Sequence, residues 1–198
     1  MGALELKSMI RIKRYKSYRG AVGKIAPNML NRNFKASKPN QKWATDITEF
    51  TLFGQKTYLS TIIDLFNGEV VCYHVHNHPT LHLVYEMLKK AMPLMIEHKG
   101  LLLHSDQGWH YQHKRYQAVL RETGAVQSMS RKGNCLDNAV QENFFGLLKS
   151  ELLRLQKFDS LEHFIDELHN YIWYYNNVRI KTKLKMSPVQ YRTHFIAA

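Results

Sequence analysis

The pair Asn67-Gly68 lies between two apolar runs, Tyr58 to Asp64 and Glu69 to His76. Few local signals constrain a chain more. Asn and Gly accept the positive φ of a tight reversal at little steric cost, so the two runs are expected to pair as antiparallel strands. Ahead of them, Trp43 to Leu52 is rich in Thr, Ile and Phe and alternates polar with apolar residues, the period of a strand. Phe53-Gly54-Gln55 can turn the chain between them, which gives three antiparallel strands in succession.

From Pro79-Thr80 the period changes. Leu81, Val84, Tyr85, Leu88 and Met92 recur at helical spacing. Leu101 to Leu103 reads as a short buried strand ending at His104-Ser105-Asp106. Lys114 to Glu122 reads as a helix stopped near Gly124, and Val126 to Ser128 as a fifth strand. Gly133-Asn134 falls in a loop. Asn138 to Leu155 is expected as one helix, and a last helix runs from about Leu161 to Asn176, with Asp159 as its N-cap and Glu162 three residues on. The core is expected to begin at Gln41. Three strands followed by alternating helices and strands predict an α/β fold with a five-stranded mixed sheet flanked by helices, the order a ribonuclease H-like fold needs.

Three acids sit in unusual places within this pattern. Asp46 lies inside the first strand, Asp106 ends the strand after three leucines, and Glu142 stands on a helix among apolar residues. A buried carboxylate is costly unless it is paired or bound to metal. Magnesium takes hard oxygen ligands, and two such ions can clamp the attacking and leaving oxygens of a phosphodiester. Salt bridges to the many basic residues are the competing explanation. Asp64, which ends the second strand before Phe66-Asn67-Gly68, is accounted for by turn chemistry. Asn138, Glu142 and Lys149 would share one face of a regular helix.

Charge is unevenly placed. Residues 1–40 carry ten Lys or Arg against one acid, Glu5, leaving +3 of the net +12 to the remaining 158 residues. A basic arm ahead of a nearly balanced domain favours a nucleic-acid partner. Arg131, Lys132, Lys149, Arg179, Lys181, Lys183, Lys185 and Arg192 are further candidate phosphate contacts, and Tyr171, Trp173, Tyr174 and Tyr175 could stack on bases or pack the last helix. Two cysteines, Cys72 and Cys135, allow no disulfide framework, and no apolar run is long enough to cross a membrane. These features predict a cytoplasmic protein with no membrane partner. His74, His76 and His78 alternate as ligands of a transition metal would, but Pro79 ends the strand and no acid or cysteine stands near in sequence. His104 shares a strand face with Asp106, which suits either the site or the core.

HSDQG at 104–108 and SMSRKGNCLDNAVQENFFGLLKSE at 128–151 resemble the DDE transposases of the insertion-sequence-three family, whose core is similar to retroviral integrase. WATDITEF at 43–50 matches the segment with the first aspartate, thirty-five residues separate Asp106 from Glu142, and YYNNVRIKTKLKMSPVQYR at 174–192 looks like the family's ending. The resemblance implies DNA cleavage at transposon ends and strand transfer, with Asp46, Asp106 and Glu142 holding two Mg2+ ions, for which Mn2+ can substitute. It places Lys149 near the transposon-end DNA. Asn138 and Gly133 match motif positions; Asn138 is expected to contact DNA or to orient the loop or the glutamate. The implied partners are double-stranded DNA at the ends and at the target, further copies of the chain on that DNA, and a companion DNA-binding protein. Residues 1–40 are read as a basic arm, the remnant of an upstream DNA-binding region. Residues 41–198 are read as the catalytic core with a C-terminal helix and basic tail. A plain nuclease on the same fold, or a non-catalytic DNA-binding fragment of a decayed element, would share many of these features.

Overall fold

A computed structural model describes residues 23–133 and 135–197. Most of the basic arm and the Asn134 half of the expected Gly133-Asn134 loop lie outside the described residues. Strands β1 (Lys42–Leu52), β2 (Gln55–Asp64) and β3 (Val70–His76) form the antiparallel meander. Phe53 and Gly54, both at positive φ, make the two-residue reversal between β1 and β2. The Asn67-Gly68 reversal is longer than a two-residue hairpin. Asp64 organises it by accepting from the Phe66 N–H on its side chain (2.9 Å) and from the Gly68 N–H on its carbonyl (2.7 Å), with Gly68 at positive φ. Strands β4 (Leu102–Ser105) and β5 (Val126–Met129) add in parallel, giving the order β3-β2-β1-β4-β5. This is the mixed five-stranded sheet expected.

Helices cover both faces. α1 (Leu81–Glu97), the short α2 (Trp109–Gln112) and α3 (Lys114–Thr123) lie on one side. α4 (Ala139–Leu148) and α5 (Leu161–Asn177) lie on the other, and α6 (Pro188–Ala197) closes the chain. Alternation along the strands divides the core. Trp43, Ile62 and Leu103 join Val84, Met87, Leu88 and Tyr116. Phe50, Leu59 and Ile63 join Phe144, Leu148, Phe164 and Leu168. On β1 the even-numbered residues Phe50 and Leu52 face α4 and α5, so Asp46 opens toward those helices.

Four expectations need correction. The helix expected over Asn138 to Leu155 is three pieces: a 3-10 turn (Cys135–Asn138), α4, and a π-helical turn (Lys149–Leu153). Ser160, not Asp159, caps α5 by accepting from the His163 N–H at 3.1 Å; Asp159 is exposed and lies 3.5 Å from the His163 ring. α5 is not the last helix. α6 docks on the β2–β3 connection, where Phe66 packs on Tyr191 and Phe195 and Arg192 ion-pairs with buried Asp64 (2.7 Å) and with Glu69 (2.7 Å). Finally, the described part of the arm belongs to the core. The Met29 and Leu30 N–H groups donate to Ser128 Oγ (2.9 and 3.1 Å), and Leu30 is buried.

Candidate active site

The cleft opens where two parallel strands part. β1 pairs with β4 from Lys42↔Leu102 to Ala44↔His104 and no further. Asp46 and Asp106 each lie two residues past that last pair, Asp46 within β1 and Asp106 just beyond the end of β4. The sheet order makes this the point where β1 turns from an antiparallel to a parallel neighbour, which is where open α/β sheets leave a crevice.

Both aspartates are oriented by short hydrogen bonds. Asp46 Oδ1 accepts from the Ile47 N–H (2.8 Å) and Oδ2 from Asn138 Nδ2 (3.0 Å). Asp106 Oδ1 accepts from the Gly108 N–H at 2.8 Å. A Cβ on Gly108 would stand 2.9 Å from that same oxygen, which explains the glycine in HSDQG. Burial pushes the Asp46 carboxyl up to about 8, helped by the negative charge of Asp106 and, less strongly, of Glu142. Burial also raises Asp106, against the pull of the Gly108 N–H. Among the described residues, no Lys, Arg or His forms an ion pair with Asp46, Asp106 or Glu142. Salt bridges among the described residues therefore do not account for these three acids.

Glu142 stands exposed in the first turn of α4, close enough to act on Asp46 electrostatically. Its neighbour Gln141 fixes the helix. Gln141 is fully buried, donates to the Ala44 carbonyl (2.6 Å) and accepts from Thr61 Oγ1 (2.9 Å). Ala44 is the last β1 residue paired with β4, so α4 is pinned at the point where the cleft begins. Asn138 is buried beside Asp46, and its Oδ1 has no hydrogen-bond partner. Two adjacent carboxylates without a cationic partner, a third in reach and an orphaned amide oxygen are a hard-oxygen donor set, which suits a divalent cation such as magnesium. Among the described residues, no three His, Cys, Asp or Glu side chains converge tightly enough to hold an ion. Glu142, the exposed member of the three, stands apart from the half-buried pair.

The other expected site residues divide into two groups. Lys132 is exposed. Lys149 is half-buried, with its ammonium 5.8 Å from the Phe50 ring centre. Phe50 is four residues along β1 from Asp46 on the same face, roughly 13 Å away at the rise of a strand. Lys183 and Lys185 are also exposed, while Arg131, Arg179, Lys181 and Arg192 are occupied within the protein. Arg179 makes three short contacts to Glu151 (2.6 to 3.1 Å), and Arg131 forks onto Asp137 (2.9 and 3.0 Å). Lys181 donates to Tyr175 Oη at 3.1 Å, and burial lowers its ammonium to about 8. Arg192 is held by Asp64 and Glu69. Tyr171 and Tyr175 are core residues, while Trp173 and Tyr174 are exposed.

His104 belongs to the core: it is fully buried, shares a hydrogen bond of 2.8 Å with Ser128 Oγ, and burial lowers it to about 4. His74, His76 and His78 stand near one another with His82, at ring separations of 5.4 to 6.4 Å, without forming a metal-holding group. Sequence reasoning missed Gln141 and Asp137. A buried polar residue directly ahead of a candidate catalytic acid was the available signal for Gln141. Asp137 offered none, because its partners from the arm lie more than a hundred residues away.

Comparison with known proteins identifies the family. The integrase core domain family matches residues 36–135, and a second integrase core domain family matches residues 142–196. The chain is 53% identical over 193 residues to InsK of insertion sequence element IS150 from Escherichia coli K12, covering 97% of this chain and 68% of that protein. It is 49% identical to a transposase-like protein of Haemophilus influenzae (96% of this chain, 88% of that one) and 36% identical to the transposase of IS904 from Lactococcus lactis (86% and 68%). Among solved structures, the fold matches a simian T-cell lymphotropic virus intasome chain (TM-score 0.67, 19% identity, 87% of this chain and 60% of that one). It also matches the HTLV-2 integrase catalytic core in complex with magnesium (TM-score 0.60, 18% identity, 79% and 98%). Among the described residues, no helix is long and apolar enough to cross a membrane. The chain belongs to the integrase-core transposases of the insertion-sequence-three family, enzymes of DNA phosphoryl transfer.

Proposed function

We propose that Asp46, Asp106 and Glu142 hold two magnesium ions, with Mn2+ able to replace them. In this reading the protein cleaves at the ends of its mobile element and joins the freed 3′ hydroxyl to target DNA. The observation that carries it is the pairing of Asp46 with Asp106. Two carboxylates lie near each other at the parting of β1 and β4, with no ion-pairing Lys, Arg or His among the described residues, and each is raised by burial. When bound, divalent ions supply the charge that activates an attacking oxygen and stabilises the leaving one.

The chain's own residues orient and position. Asn138 and the Ile47 N–H hold Asp46, and the Gly108 N–H holds Asp106. Gln141 keeps α4 against the sheet so that Glu142 can close on the pair. Lys132 and Lys149 contact phosphates, Lys149 on the β1 face that carries Asp46. Residues 23–40 complete the core that residues 41–197 build. The protein works on double-stranded DNA as a multimer, in the cytoplasm, and a companion DNA-binding protein assists in finding the ends.

The test is a labelled duplex bearing the element's own end, incubated with the protein, Mg2+ and a target plasmid. Cleaved and joined products are expected, and Asp106→Asn should abolish both. Cleavage and joining at the normal rate by Asp106→Asn would overturn the assignment, and cleavage without joining would favour the nuclease.

A further inference from the structure

One acid beside the candidate site plays no part in the reading above. The Asp137 side chain is fully buried, a costly placement for a carboxylate unless charge and hydrogen bonds compensate it. Five N–H contacts do so. Oδ1 accepts from Arg32 Nε (2.8 Å) and from a terminal nitrogen of Arg131 (2.9 Å). Oδ2 accepts from the Arg131 backbone N–H (3.1 Å), Arg131 Nε (3.0 Å) and Asn28 Nδ2 (3.1 Å). The Arg131 fork is the strongest geometry available to a carboxylate, and it holds the Asp137 carboxyl well below the usual range.

These donors come from two distant parts of the chain. Arg131 follows β5. Asn28 and Arg32 precede β1, in a segment fixed to the sheet by its own contacts: the Met129 N–H donates to the Pro27 carbonyl (3.3 Å), and Leu30 is buried over Ser128. Asp137 therefore ties three things together: the segment ahead of the core, the end of β5 and the start of α4. The next residue is Asn138, whose amide donates to Asp46. Glu142 follows one helical turn later. The loop on the other side is exposed at Gly133 and Leu136 and has no comparable anchor among the described residues.

We propose that Asp137 is a positioning residue: latched by Arg131 and by Asn28 and Arg32, it holds Asn138 against Asp46 and sets Glu142 beside the two aspartates, which makes the segment ahead of β1 a working part of the active site. The proposal rests on the carboxylate assignment made above. It goes beyond that assignment in giving the arm a function other than DNA contact. A partner that orients a metal-binding group typically contributes ten- to a hundredfold to affinity or rate.

The test compares wild type, Asp137→Asn, Arg32→Ala, Arg32→Lys and Glu142→Gln. Mn2+ binding is followed by electron paramagnetic resonance, and cleavage kinetics are measured on the labelled end duplex. Asp137→Asn is expected to weaken Mn2+ binding and lower kcat by about tenfold or more each, with KM for DNA within about twofold of wild type. Arg32→Ala should show a smaller loss of the same kind, partly restored by Arg32→Lys. Circular dichroism and thermal melting identify variants that do not fold; if Asp137→Asn is one, Arg32→Ala carries the test, because Arg131 still pairs the aspartate. A folded variant with unchanged Mn2+ affinity and kcat would overturn the latch, as would lowered stability with normal metal affinity in the folded fraction. If Glu142→Gln binds Mn2+ and cleaves like wild type, the carboxylate assignment itself fails, and this control separates the two failures.

Discussion

At the scale of single residues, the site depends on groups that touch the carboxylates rather than on the carboxylates alone. Gly108 is the sharpest case. Its N–H orients Asp106, and the space where a side chain would start is filled by the same carboxylate. Gly108→Ala should leave the thermal midpoint near that of wild type while displacing Asp106. Cleavage is expected to fall about tenfold or more, and a normal rate in a steady-state assay would show that Asp106 tolerates the shift. Asp137 gives a pH prediction. Its folded-state pKa lies below the unfolded value, so its contribution to stability is present above about pH 4 and lost as pH falls through the folded value. The difference in melting temperature between wild type and Asp137→Asn should thus be largest near neutrality and shrink as the solution is taken from about pH 5 to about pH 2. A difference that grew on acidification would contradict the depressed carboxylate.

At the scale of elements, α4 decides whether a site exists. Gln141 is its anchor, and Gln141→Ala removes three buried hydrogen bonds, to the Ala44 carbonyl and to the Thr61 hydroxyl and carbonyl. A loss of about 2 to 4 kcal/mol in denaturant unfolding is expected; a loss below about 0.5 kcal/mol would mean that α4 is held by its apolar face alone. The sequence made the framework legible for a physical reason. Strands β1 to β3 and helices α1, α3 and α5 each carry an apolar period over several residues, and a period survives without knowledge of its partner; β4 and β5 are legible only as short runs between turn and helix signals. α6 was missed because Pro188 is its one buried residue, so little apolar period marks it. The break in the expected Asn138 to Leu155 helix was missed because a π turn needs no Gly or Pro to mark it. The three acids could be found as charges standing in apolar surroundings. Asp137 and the arm could not, since Met29-Leu30 is too short an apolar pair to carry a period and the seat of Leu30 at Ser128 is created only by the fold.

At the scale of the whole molecule, the net charge of +12 is a poor guide to which cations meet DNA. Arg131, Arg179 and Arg192 are paired with acids, and Lys181 is drawn inward. Lys132, Lys183 and Lys185 are exposed and Lys149 half-buried, and none of them pairs with an acid among the described residues. The expected consequence is measurable in the salt dependence of DNA binding. Lys132→Ala and Lys149→Ala should each reduce the slope of log K against log salt by about 1, the signature of a lost phosphate contact. Arg179→Ala should leave the slope unchanged and lower stability instead, because it strips Glu151 of its partner. Equal slopes for all three variants would show that the pairing seen in the fold does not select the DNA-binding residues. The central claim concerns the cleft itself, and the most direct measurement is anomalous diffraction from crystals soaked in Mn2+. The account predicts strong peaks at the Asp46 and Asp106 carboxylates with Glu142 turned in to meet them, all lost in Asp106→Asn. Peaks only elsewhere, at the His74, His76 and His82 rings for instance, would contradict it.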